Sequence, residues 1–165
     1  MQTSHDSETS AYNQQVFTAC AFIHHEFDGI QKVFLPKRAD TKKFLPGVYE
    51  LPGGHIDFGE EMVDGLRREI KEEFDMDCSI GDPFYVFTYT NDIKGSHSVE
   101  VIYFAEFSND LSEITLNPED HSEFGWFAED ELVHATTPGK NLDDIEFVAM
   151  AKAFQLLKGD SPKFK

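Results

Sequence analysis

The chain has 165 residues, 40% of them hydrophobic and 27% charged, the proportions of a soluble globular protein with one sizeable core. Asp plus Glu number 31 against 14 Lys plus Arg, a formal charge of −17. That excess excludes nucleic acid and anionic membrane as principal partners, since both select a basic face, and a polyanionic ligand would need cations to bind.

A single domain is expected over 14–158, with 1–13 and 159–165 as flexible polar tails. "MQTSHDSETS" has neither the basic region nor the apolar stretch of a signal peptide, and "VFTACAFI" is too short to span a bilayer, so a cytoplasmic location is expected. Cys20 and Cys78 lie in apolar surroundings without metal-ligand spacing and read as buried, inert thiols of a reducing compartment.

In chain order, "VFTACAFIHH" (16–25) and "IQKVFL" (30–35) are strands joined across Asp28-Gly29, a strong hairpin signal. A basic loop (36–47) leads to a short strand, "VYEL" (48–51), stopped by Pro52-Gly53-Gly54. A helix follows over 61–74, then strands at 78–90, 98–107 and 123–127. Asn141 is placed to cap a last helix, 142–157, with Ile145, Val148, Ala149, Ala153, Leu156 and Leu157 on its apolar stripe and Gly159 after it. Strands, helix, strands, helix is an α+β order, a mixed sheet between helices.

The helix "GLRREIKEEF" carries the chemistry. At about 100° per residue, Val63, Leu66, Ile70 and Phe74 share a core stripe, and Glu69, Glu72 and Glu73 fill an arc roughly a quarter turn away. Like charges three and four apart each cost a helix about 0.2–0.5 kcal/mol. Gly65 falls inside the acidic arc and leaves room for something to approach. Clustered carboxylates beside the carbonyls of a Gly-Gly turn are hard oxygen donors of the kind Mg²⁺ and Mn²⁺ take, and a cation would remove the repulsion. "DMDCSIGD" opens like a calcium loop, but its glycine is one place late and its twelfth residue is Val86 rather than Glu, so it is set aside.

The stretch "GHIDFGEEMVDGLRREIKEEFDM" resembles the box of the Nudix hydrolase family: Gly, five residues, Glu, seven residues, then Arg-Glu-apolar-x-Glu-Glu-x-Gly-apolar. Gly54, Glu60, Arg68, Glu69, Ile70, Glu72, Glu73 and Met76 fill the pattern, and only Asp75 departs from it, in place of glycine. That glycine ends the helix in a left-handed turn, which Asp tolerates better than most residues. The resemblance implies an α/β/α sandwich and hydrolysis of a nucleoside diphosphate linked to another group. It implies Glu69, Glu73 and the Gly54 carbonyl as metal ligands and Glu72 as a further ligand or water-orienting group. Glu60 would be a supporting carboxylate and Arg68 the residue that holds the acids in place. The cofactor would be Mg²⁺ or Mn²⁺.

Outside the box, one more acid is expected from "NPEDHSEFGWF": Glu119 is favoured over Asp120 and Glu123. Arg38 and Lys37 are candidates for the substrate phosphates. Phe124, Trp126, Phe127, Phe87 and Tyr89 are candidates for the base; Phe124 and Trp126 share one face of their strand with Phe127 opposite, so at most one of those two groups faces a ligand. Asn91 stands where nucleotide-sugar enzymes of the family often carry proline, and residues 92–94 lack the tyrosine of diadenosine-polyphosphate enzymes. What remains resembles the nucleoside triphosphate pyrophosphohydrolases, which release a monophosphate and pyrophosphate, some acting on oxidised nucleotides. The alternatives are hydrolysis of a nucleotide sugar or other diphosphate derivative, and a non-catalytic nucleotide sensor. The expected partner is a small nucleotide; a homodimer is left open.

Overall fold

The computed structural model describes residues 9–159; most of the two expected tails, 1–8 and 160–165, lies outside them. The elements run β1 (Gln15–Phe27), β2 (Ile30–Arg38), β3 (Gly53–His55), α1 (Met62–Phe74), β4 (Cys78–Asn91), β5 (Ser96–Phe107), β6 (His121–Phe127) and α2 (Ile145–Leu157). Two 3-10 segments, Leu111–Glu113 and Glu129–Ala135, flank β6. Ahead of β1, Ala11 is buried and its N–H donates to Lys94 O at 2.8 Å.

Six strands form one mixed sheet in the order β4-β5-β1-β2-β6, with β3 paired to β1. Thr18 to Ile23 are all buried, the continuous burial of a strand covered on both faces. Its partners differ along its length. Thr18–Cys20 pair antiparallel with β3, His24–Phe27 pair antiparallel with β2, and Gln15–Ile23 run parallel to β5 on the other side. β1 therefore forks between β3 and β2. The β1–β2 turn is the expected one: Asp28 and Gly29 both have positive φ, 51° and 83°.

α1 packs on one face through Leu66, Ile70 and Phe74, against Ala19, Ala21 and Phe34. α2 and the second 3-10 segment cover the other face, where Phe147, Met150 and Phe154 meet Phe22, Leu35 and Ile102. The result is the α/β/α sandwich. α1 ends as read from the sequence, with Asp75 left-handed (φ 53°, ψ 32°) and its N–H donating to Lys71 O at 2.9 Å.

Three local expectations are corrected. "VYEL" is no strand; Tyr49 makes an isolated bridge to Lys37, and the strand lies one turn later, in Gly53–His55. α2 is capped by Asp144, whose carboxylate accepts from Glu146 N, while Asn141 closes a turn by accepting from Asp143 N. Its buried stripe is rotated: Ile145 and Val148 are 42% and 45% exposed, and the longer Phe147, Met150 and Phe154 reach the sheet.

Candidate active site

The fork in β1 opens a cleft of about 240 Å³, lined from both faces of the sheet. Gly53 lies so close to β1 that a Cβ would stand 2.1 Å from Ala19 O, and its φ of 146° is one that side chains rarely adopt. Gly54 faces α1: a Cβ there would stand 2.5 Å from Glu69 Oε2. The two glycines thus let a strand run between β1 and the acidic face of α1. Gly65 answers a different need, since a Cβ on it would meet Ile56 Cδ1 at 2.6 Å and Glu60 Oε2 at 2.8 Å. The room it leaves is taken by the chain itself.

Arg68 ties these parts together. Its Nε donates to Glu60 Oε1 at 2.8 Å and its Nη1 to Glu69 Oε1 at 2.8 Å. Nη1 also reaches Glu72 Oε2 at 3.4 Å, and Nη2 donates to Glu60 Oε2 and to His55 O, both at 3.0 Å. Glu60 Oε2 in turn accepts from Asp57 N at 3.0 Å. Hydrogen bonds donated to Glu60, and then to Glu69, push the Arg68 guanidinium pKa up, so its charge is fixed.

Glu69 is buried and Glu72 exposed; Glu73 lies between, its Oε2 buried without a hydrogen-bond partner. Burial, and then the charges of Glu50, Glu69 and Asp120, push the Glu73 carboxyl well up. His121 stands beside it, Nδ1 3.9 Å from Glu73 Oε2 and Nε2 2.9 Å from Glu50 Oε1. Burial alone would raise the Glu50 carboxyl, but Arg38, His121 and Lys140 outweigh it and hold it down at about 2. Further in, Glu100 and Glu146 line the same cleft, Glu146 Oε1 accepting from Lys140 Nζ at 2.9 Å and from Leu51 N at 2.7 Å.

Among the described residues no three Asp, Glu, His or Cys side chains close on one point as a finished cation cage. The donor set nevertheless fits a hard cation. Carboxylate oxygens gather at the cleft, Glu73 Oε2 among them is buried without a hydrogen-bond partner, and raising a carboxyl by burial and like charge leaves a demand for positive charge.

The NUDIX domain profile matches residues 16–150. The chain belongs to the Nudix family. It is 33% identical over 106 residues to nucleoside triphosphatase NudI of Escherichia fergusonii, covering 59% of this chain and 74% of that protein. It superposes on a MutT NUDIX hydrolase from Burkholderia pseudomallei with a TM-score of 0.62 and 29% identity, over 78% of this chain and 94% of that one. A MutT protein from Methanosarcina mazei, 18% identical, shares the fold with a TM-score of 0.69 over 92% of this chain and all (100%) of that one. This Nudix hydrolase is an enzyme of diphosphate bonds, in a family that acts on small nucleotide substrates and generally uses divalent metals.

The Nudix box residues Gly54, Glu69, Glu72 and Glu73 all line the cleft, with Glu60 and Arg68 directly behind them. Of the other candidates, Arg38 lines it too, its Nε held on Phe44 O at 2.9 Å and its Nη1 on Glu50 at 3.3 Å. Lys37 and Glu119 lie outside the lining. Strand alternation turns Lys37 away to pair with Glu123 at 3.4 Å, and Glu119 is exposed. Phe124 and Trp126 share a face, as expected, but it is the α1 face, where both contact Phe34. Tyr89 does line the cleft, and so does Asp120, next in sequence to Glu119 and bonded to Lys42 Nζ at 2.9 Å.

Glu50, His121, Glu100, Glu146 and Phe44 line the cleft too, beyond the residues expected from sequence. Glu100 left a signal: in "SVEVIYF" it shares a face with Ser98 and Ile102, so it is an acid on the inward side of a strand. No described helix is long and apolar enough to cross a membrane.

Proposed function

We propose that this Nudix hydrolase is a pyrophosphohydrolase dependent on Mg²⁺ or Mn²⁺, converting a nucleoside triphosphate, oxidised and non-standard ones included, to nucleoside monophosphate and pyrophosphate. The observation that carries the reading is the buried, unpartnered Glu73 Oε2 at the head of an acidic cleft braced by Arg68. Its likeness to the NudI relatives, named nucleoside triphosphatases, supports the substrate class.

Glu69, Glu72, Glu73 and the Gly54 carbonyl would hold the ion. When bound, it offsets the phosphate charge and acidifies a coordinated water. The chain's own residues do the rest. Arg68 holds Glu69 and Glu72 in place, and Glu60 keeps Arg68 in register. Lys42 and Arg38 supply positive charge along the cleft wall. Water oxygen attacks phosphorus, the bond to the departing pyrophosphate breaks, and the water's proton passes to a base at the cleft head, where Glu73 and His121 Nδ1 stand.

The test is product analysis on a panel of ribo- and deoxyribonucleoside triphosphates, 8-oxo-purine forms and nucleotide sugars, with Mg²⁺, Mn²⁺ or excess chelator. Monophosphate and pyrophosphate, formed only with metal, are the expected products. Turnover confined to nucleotide sugars, or undiminished in chelator, would overturn the reading.

A further inference from the structure

Hydrolysis uses the α1 end of the cleft and leaves its other end without a task. There Glu100 is only 5% exposed, yet its Oε2 has no hydrogen-bond partner. Its neighbours on β1 are the Thr18 hydroxyl, 3.5 Å from Oε1, and the Cys20 thiol. On β4, Tyr89 pairs with Ser98, two residues before Glu100, so the Tyr89 ring and Glu100 share one face of the sheet. Phe44, from the loop after β2, lies nearly parallel to Tyr89, 15° apart with centroids separated by 6.3 Å. All three line the cleft.

We propose that Phe44, Tyr89 and Glu100 are the base-reading end of the cleft: the rings take the flat face of a nucleobase and Glu100 hydrogen-bonds its edge. The proposal rests on the nucleotide reading above and adds which residues choose the base. Its reach is right. Thr18 pairs with His55 on β3 and with Glu100 on β5, so the β3 end and Glu100 are two strand spacings apart, about 10 Å. A ribose bridges that distance between phosphate and base.

The protonation of Glu100 suits the task. It faces Cys20 of β1, Tyr89 of β4, Glu146 of α2, and Glu50 and Lys140 from the adjoining loops. Burial, and then Glu146, push its carboxyl up, with Lys140 opposing. A neutral carboxyl presents a donor beside an acceptor, complementary to the adjacent acceptor and donor on a base edge. A second cation site is a poorer use of these acids, because Lys140 Nζ already sits on Glu146 Oε1 at 2.9 Å.

The experiment uses the full chain with Mg²⁺. KM and kcat are measured over the nucleoside triphosphate panel, together with inhibition by inorganic tripolyphosphate, which has no base. Glu100→Leu is expected to raise KM for the preferred nucleotide by about tenfold or more, the loss of an edge hydrogen-bond pair, and to flatten the ranking of bases. The tripolyphosphate inhibition constant should not move. Glu100→Gln, which keeps a donor beside an acceptor, should recover most of the loss. Equal effects on nucleotide and tripolyphosphate, or an unchanged base ranking, would overturn the proposal. If Glu100→Leu fails to fold, Tyr89→Leu decides by the same criteria. If the wild-type chain hydrolyses no nucleoside triphosphate, the nucleotide reading itself fails. Calorimetric titration of nucleoside monophosphates into wild-type and Tyr89→Leu chains then judges the subsite alone: equal or absent binding rejects it, and binding weakened in the variant upholds it.

Discussion

The carboxyls of Glu73 and Glu100 are both pushed up by burial and by neighbouring acids, but different surroundings give them different expected behaviour. Glu73→Gln keeps the shape and removes the charge a cation needs. Turnover should fall by roughly 10²-fold or more, since a misplaced ion misplaces its water. The metal-free melting temperature should rise slightly as one like-charge repulsion goes. Loss of activity through unfolding alone would mean that the α1 acids only hold structure. For Glu100 the prediction concerns pH. Its folded carboxyl is pushed up to about 8 from an ordinary 4.5. Between those limits the native chain keeps a proton that the unfolded chain has released, so this group's contribution to stability falls as pH rises through that window. Glu100→Gln removes the slope. Its gain in melting temperature should be larger at pH 8 than at pH 5, at roughly 2–4 °C per kcal/mol recovered. Equal gains at the two pH values would mean that Glu100 is ionised throughout. Asp75 makes the third case. Its left-handed φ of 53° costs about 1 kcal/mol relative to glycine, and its pair with Lys71 at 3.0 Å is exposed and worth little. Calorimetric melting should show Asp75→Gly more stable, with turnover unchanged.

At the scale of elements, the two adjacent glycines of β3 should fail in opposite ways. A Cβ at Gly54 meets the end of a flexible carboxylate, whereas one at Gly53 meets the backbone of β1. Gly54→Ala should therefore displace Glu69 and cut turnover roughly 10–100-fold with little change in melting. Gly53→Ala should cost roughly 2–4 kcal/mol of stability through strain and strand separation. Denaturant titration beside kinetics on both variants separates the two. The same contrast explains what the sequence disclosed. The α1 acids and their glycine partner lie within one short stretch, so helical spacing exposed them directly. Glu50, Glu100, His121 and Glu146 come from a loop, two strands and α2, segments that only the tertiary fold brings together, and no local periodicity marks that meeting. The phase of α2 is not legible in the sequence, because Asn141, Asp143 and Asp144 ahead of it are competing caps and because apolar residues surround it on most sides.

The whole molecule carries −17, and seven carboxylates against Arg38 and Lys42 line the cleft. Divalent ions should therefore stabilise the fold as well as support turnover, by RT ln(1 + [L]/Kd) when they bind the native chain alone. Mg²⁺ is expected to raise the melting temperature and excess chelator to abolish both effects. Ca²⁺ should raise melting yet support little hydrolysis, because its looser coordination positions water poorly. Melting that ignores all three would leave the acids without a cation.

The parallel pairing of β1 with β5 sets Thr18 against Glu100 and Gln15 against His97, contacts between segments far apart in the chain. Closing so long a loop costs chain entropy before its contacts form, so this pairing is expected late in folding. A chain ending at Gly95 would contain every residue from Gly54 to Met76 and still lack one wall of the cleft. In a refolding experiment, then, helical signal should return first and pyrophosphate release only with the slowest phase. The box acids are local in sequence, but the cleft that uses them is complete only after distant segments have joined.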